Sequence, residues 1–258
     1  MAHELSIDIL RQIRQAGTLT RAELAKSLGI SLSLVSKITA ELRSLGLIEV
    51  RGTPDPNNGR PADRLAIRSD AGYCIGLDVG SDRKVAVITN LAGEIVASLH
   101  EPSPEKDFPF ELIEDLVRRI LSQSGVNRSQ VLGLGVGICN IVDPVTGMVY
   151  RFDDFNFSEV SIPALNVPIR DQIVSEMPFP HIIVDDIVRG LGTAEVRYGL
   201  AAGESNFIYL LVDTGIGMAI MLNGTPFIGA SHIAGEIAHI PVGDHNIQCI
   251  CGNNGCLN

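Results

Sequence analysis

Cys249, Cys251 and Cys256 crowd into the last ten residues of this 258-residue chain, and His239 stands upstream of them with nine residues between. One imidazole and three thiolates form the donor set of a closed, tetrahedral structural zinc site. Gly252 and Gly255 add turns tight enough for Cys251 and Cys256 to face one ion, because glycine accepts positive φ at little cost. The pattern predicts a structural Zn2+ held by His239, Cys249, Cys251 and Cys256. Ordinary buried thiols at a ragged end are the alternative, and their clustering argues against it. Cys74 and Cys139 lie inside apolar runs and read as core.

Charge is unevenly distributed. Residues 1–70 carry ten Lys or Arg against eight Asp or Glu, whereas the rest of the chain carries ten against twenty-two. Two functional bodies are implied, and 45% apolar residues is ample for a real core in each. No stretch approaches a membrane span, and Glu4, Asp8, Arg11 and Arg14 interrupt the apolar positions of the first twenty residues, unlike a signal peptide. Cysteines grouped for metal rather than for disulfides agree with a reducing compartment. The expectation is a soluble, cytoplasmic protein with no membrane partner.

In residues 1–70, Leu5, Ile9, Leu10 and Ile13 recur at helical spacing up to Gly17. Thr20 and Glu23 form a capping-box pair for a second helix that stops at Gly29. A third starts after Ser31, carries Leu34, Val35, Ile38 and Leu42 on its apolar face and ends at Gly46. Two β-like runs, 47–51 and 64–68, bracket a loop rich in Pro, Asn and Gly. This is a winged helix-turn-helix, with the third helix as the DNA-recognition helix. Ser33, Ser36 and Lys37 lie away from its apolar stripe, and Arg60 sits at the wing tip within Gly59-Arg60-Pro61, a shape suited to a narrow minor groove. These four are the candidate DNA-binding residues. The alternative is a protein-interaction module, since the positive excess is small.

After Gly72 the pattern becomes α/β. Strands are predicted at 73–80, 84–90, 94–100, 131–138, 182–184, 206–212 and 218–222, with helices at 108–123 and 187–198. Gly133, Gly135 and Gly137 mimic a dinucleotide fingerprint but lie within a strand, with no helix opening after them. Asp185 and Asp186 also suit a helix N-cap before Ile187.

Three strands, a helix, a strand and a helix, followed by a second glycine-turn start at Asp213-Thr-Gly-Ile-Gly217, resemble the two-lobed actin and sugar-kinase architecture, an RNase H-like fold. Asn223-Gly-Thr-Pro, Gly235-Glu236-Ile-Ala-His239 and Cys249-x-Cys251-Gly-x-x-Gly-Cys256 extend the likeness. Together they resemble the ROK family of bacterial sugar kinases and repressors. The N-terminal winged helix is similar to its transcriptional-repressor branch, which includes xylose and N-acetylglucosamine repressors. The implied division is a DNA-binding domain at 1–70, a first lobe at 72–185 and a partial second lobe with the zinc knot at 186–258. Family members continue past the knot, so the resemblance implies a C-terminal truncation, an incomplete second lobe and exposed apolar surface.

The resemblance also implies roles. Asp185-Asp186 match the family's Asn-Asp pair, whose second member is the kinases' catalytic base, and Glu236 and His239 match its sugar-gripping pair, so these four are the candidate sugar-binding residues. Asp185 in place of Asn, and Asn258 in place of a Glu, are departures. Asp82 and Asp213 put carboxylates where kinases cradle phosphate, and Met218 and Ala219 replace small residues, which argues against catalysis. The implied function is a sugar-responsive regulator, a repressor of carbohydrate genes. It would bind double-stranded operator DNA as a homodimer or higher homo-oligomer, with a sugar or sugar phosphate as effector. A sugar kinase with an appended DNA-binding module and a constitutive DNA-binding remnant are the alternatives.

Overall fold

The computed structural model describes residues 2–52, 63–80, 83–102, 110–150, 167–213, 215–243, 246–249 and 253–257. The chain divides into two compact units, Met1–Cys74 with Ile88–Val96, and Ile75–Val87 with Ala97–Asn258. Among the described residues no helix is long and apolar enough to cross a membrane.

The first unit begins with α1 (Ala2–Ala16), β1 (Thr18–Thr20), α2 (Arg21–Leu28) and α3 (Leu32–Ser44), then β2 (Ile48–Arg51) and β3 (Arg64–Ile67). The expected caps are present. The Thr20 hydroxyl accepts from the Glu23 N–H at 3.2 Å while the Glu23 carboxylate accepts from the Thr20 N–H at 2.6 Å, and Gly29 closes α2 at φ 66°. Ser31 caps α3 through the Leu34 N–H. Ile9 and Ile13 of α1, Leu24 of α2, Val35, Ile38 and Leu42 of α3, and Leu65 of β3 form one core, against which Leu91 and Ala92 pack.

Two details depart from the sequence pattern. Leu34 is 36% exposed rather than part of the α3 stripe, and Thr39 takes the buried place instead, accepting from Arg21 Nε at 3.2 Å. The third strand of the sheet, β1, was not anticipated. It pairs antiparallel with β3, Leu19 facing Leu65, and β3 pairs with β2, Val50 facing Leu65. Arg64 fixes this edge by donating to the Thr18 hydroxyl and carbonyl.

A five-stranded sheet follows, built from β4 (Tyr73–Val79), β5 (Arg83–Asn90), β6 (Ile95–Pro102), β7 (Val131–Ile138) and β11 (His181–Asp186), in the order β11-β7-β4-β5-β6. Between β6 and β7 lies α4 (Phe110–Ser124), which buries Ile113, Leu116, Val117 and Ile120, one helical stripe. Three short strands, β8 (Ile141–Asp143), β9 (Met148–Tyr150) and β10 (Val167–Pro168), form a small sheet, and α5 (Ile169–Glu176) leads to β11. These four elements were absent from the sequence reading. β11 runs parallel to β7 with Asp185 beside Gly137, so both strands end at the same edge.

Cys74 and Cys139 are exposed, not core. Alternation along β4 buries Ile75, Leu77 and Val79 and turns Cys74 to the other face, while Cys139 falls just beyond β7.

The last part of the second unit packs α6 (Ile187–Tyr198) on β12 (Phe207–Val212), β13 (Ile216–Leu222) and β14 (Thr225–Pro226). Val188, Ala219 and Met221 are its core. The helix can approach because a Cβ on Gly217 would lie 2.7 Å from the Val188 side chain. On the opposite face of β12, Ile208, Leu210 and Val212 are exposed.

Candidate recognition helix, ligand cleft and metal centre

In the first unit, Ser33 and Lys37 are exposed on α3 and Ser36 is half-buried. The Ser33 hydroxyl lies 3.0 Å from that of the N-cap Ser31. Leu32, 54% exposed, and Leu34 stand beside Ser33 on the first turn of α3, an apolar presence the sequence reading missed. N-terminal residues of such a helix are the ones that meet base edges, and apolar side chains there can read a thymine methyl. Arg60 lies outside the described residues.

In the second unit a pocket opens where strands end. The carboxyl ends of β4 and β7 bring Asp78, Gly80, Cys139 and Asn140 to it, and the start of α6 brings Asp186, Ile187 and Val188. The β12–β13 turn adds Asp213, Gly215 and Gly217, and Glu236 closes the wall. Crevices outside the carboxyl ends of parallel strands are where α/β folds bind ligands. Ser81, Asp82 and Thr214 lie outside the described residues.

Asp186 serves two purposes. It is the N-cap of α6, accepting from the Arg189 N–H at 3.0 Å, and it lines the pocket. Burial pushes its carboxyl above the ordinary value. Burial, and then the nearby Asp186 charge, push Glu236 from an ordinary 4.5 up to about 7. Glu236 follows Gly235, whose φ of 103° and whose missing Cβ, which would lie 1.9 Å from the Met218 carbonyl oxygen, place the segment tight against β13.

Asp185 and His239 do not share the pocket with them. Asp185 instead accepts from Arg189 Nε at 2.8 Å. Arg189 is 4% exposed, and its two remaining nitrogens donate to the carbonyls of Val142 at 2.7 Å and His232 at 3.1 Å. Arg83 was also unforeseen: its Nη1 pairs with Asp213 at 2.9 Å and its Nε faces Asp78 at 3.6 Å. The Asp213 carboxylate, expected to project bare charge, therefore has a cationic partner beside it.

His239, Cys249 and Cys256 converge, their donor atoms all within 4.8 Å of one another. Cys249 Sγ is 3.5 Å from His239 Nδ1. Ordinary Zn–N and Zn–S bond lengths at tetrahedral angles place such atoms about 3.6 Å apart, so the residues present fit the ion. Burial lowers the pKa of His239 and keeps it neutral, the ligating form. Backbone pairing supports the arrangement: the Val242 and Gly243 amides donate to the Gly255 carbonyl, and the Cys249 amide to that of Asn253. Cys251 lies outside the described residues.

Known proteins place these features. A winged helix-turn-helix DNA-binding profile matches residues 3–49. A xylose repressor from Caldicellulosiruptor bescii is 26% identical over 252 residues, covering 96% of this chain and 61% of its own length. A glucokinase from Halalkalibacterium halodurans is 31% identical over 194 residues, covering 73% of this chain and 56% of the kinase. The chain thus spans less than two thirds of these relatives. The crystal structure of a ROK family transcriptional regulator, described as a homologue of the E. coli MLC protein, superposes with a TM-score of 0.72 at 22% identity, covering 98% of this chain and 64% of that one. The fold is accordingly a winged helix-turn-helix joined to a sugar-kinase-like α/β domain. With the ROK family profile matching residues 74–258, well over half of the sequence, the chain belongs to the ROK family.

Proposed function

We propose that this chain is a sugar-responsive transcriptional regulator, a repressor, acting in the cytoplasm on double-stranded operator DNA. The observation that carries the reading is the union in one chain of a capped recognition helix, with Ser33 and Lys37 exposed, and a pocket walled by Asp186 and Glu236. The names of relatives such as the xylose repressor support it.

Lys37 supplies a cationic contact to phosphate or base edge, and Ser33 and Ser36 hydrogen bonds; a two-fold operator would be matched by a homodimer. The effector is a sugar or sugar phosphate, with the Asp186 and Glu236 carboxylates as acceptors for its hydroxyls. His239, and Asp185 through Arg189, position the wall. An effector alters DNA affinity only by binding two arrangements of the protein unequally. His239, Cys249, Cys256 and Cys251 would hold a structural Zn2+, which supplies no open coordination position and ties the chain end to the Glu236 segment.

Phosphoryl transfer is not part of this reading, because Asp213, paired with Arg83, puts a carboxylate on the pocket wall at the second glycine turn. The test is a gel-shift titration with genomic duplexes flanking the gene, with and without a panel of pentoses, hexoses and N-acetylhexosamines, beside a coupled ADP-release assay with ATP. The expected result is fragment-selective binding altered by one sugar and no sugar-dependent ADP. Equal affinity for every fragment and for random duplex refutes the regulator.

A further inference from the structure

The pocket is built against phosphate. Among the described residues its walls carry four carboxylates, Asp78, Asp186, Asp213 and Glu236, and a single cation, Arg83. That cation is already engaged, 2.9 Å from Asp213 and 3.6 Å from Asp78. The next arginine, Arg189, has Nε and both Nη atoms committed to Asp185 and to the carbonyls of His232 and Val142. The Asp213 amide, at the second glycine turn, donates to the Gly215 carbonyl.

Resting on the effector reading above, we propose that Arg83 is the specificity element of this pocket. It bridges Asp213 and Asp78 with the chain's own charge, so the pocket takes an uncharged polyhydroxylated ligand and rejects the same ligand carrying phosphate. Hydroxyl groups donate to carboxylates and suit these walls. A phosphate ester brings roughly two negative charges at neutral pH, and donors are what it needs. Among the described lining residues the one cation already faces two carboxylates, and the acceptors are in excess. Burial, and after it the charge of Asp186, raise the Glu236 carboxyl, in keeping with negative charge crowded on this wall. Selectivity of this kind works through what repels the wrong ligand as much as through what holds the right one.

Calorimetric titration of the zinc-replete full chain with matched pairs tests this: glucose and glucose 6-phosphate, N-acetylglucosamine and its 6-phosphate, xylose and xylose 5-phosphate. At least one free sugar binds, and its ester binds weaker by about tenfold or more at low salt, the gap narrowing as salt screens it. Asp213→Asn releases the Arg83 guanidinium and removes one repelling charge, so the ratio of ester to sugar Kd falls by about tenfold; Arg83→Gln raises it. An ester that binds as tightly as its sugar overturns the proposal and leaves the regulator reading standing. A ratio unchanged in folded Asp213→Asn protein, checked by circular dichroism, overturns the role of the bridge. Absence of binding by every sugar and ester overturns both the proposal and the effector reading beneath it.

Discussion

Glu236→Gln separates the cost of the pocket from its use. The Glu236 carboxyl is raised from 4.5 to about 7, by burial first and by Asp186 second. A raised carboxyl binds its proton more tightly in the folded state than in the unfolded one, so ionising it opposes folding. The penalty is absent below about pH 4.5, grows through the window to pH 7 and is complete above it. At 1.36 kcal/mol per unit, the shift corresponds to at most about 3 kcal/mol at pH 8 and about 1.4 kcal/mol at pH 5.5. Gln keeps the shape and cannot ionise. The variant should therefore melt higher than the parent at pH 8, by about 2–4 °C for each kcal/mol removed, with a smaller gain at pH 5.5. Differential scanning fluorimetry of zinc-replete protein at the two pH values measures this. A shift of equal size at both, or a loss at pH 8, would refute the reasoning. Sugar response should weaken in the same variant, since a site that holds an unpaired carboxylate for a ligand gives up stability to keep it.

Cys249→Ser or Cys256→Ser should lower both bound zinc and melting temperature, because binding energy at such a site is also folding energy; elemental analysis before and after chelation checks the pairing of the two losses. Lys37→Ala should weaken binding across all duplexes and reduce the slope of log affinity against log salt by about one, read by fluorescence anisotropy between low and moderate salt. Gly235→Ala forces a Cβ to 1.9 Å from the Met218 oxygen at a φ of 103°. The cost, about 3 kcal/mol or more, should appear as a lower melting temperature or loss of soluble protein.

Much of the first unit is written locally. Thr20, Glu23, Gly29 and Ser31 announce helix ends within a few residues of where they act, and the structure realises each of them. β1 left no such trace: it is three residues long and exists because Arg64, 46 positions away, holds Thr18. The second unit was legible where strands are long and illegible at β8, β9 and β10, whose two or three residues carry no period. Asp186 and Glu236 were marked in the sequence by their motifs, and both reach the pocket. Asn140, Arg83 and Arg189 had no signal, because their positions follow from β11 lying beside β7 and from the opposed glycine turns rather than from any spacing. Leu34 and Cys74 show the converse, apolar by type and exposed by geometry.

Arg189 joins segments that the chain keeps far apart, its acceptors at Val142 and His232 lying 47 and 43 positions away. A buried guanidinium that loses one acceptor leaves an uncompensated donor behind, so these bonds break together or persist together. The first turn of α6, β8 and the loop at His232 are thereby tied to one side chain. A displacement that a ligand imposes at Asp186, three residues before Arg189, therefore reaches two remote stretches of backbone through the Arg189 guanidinium.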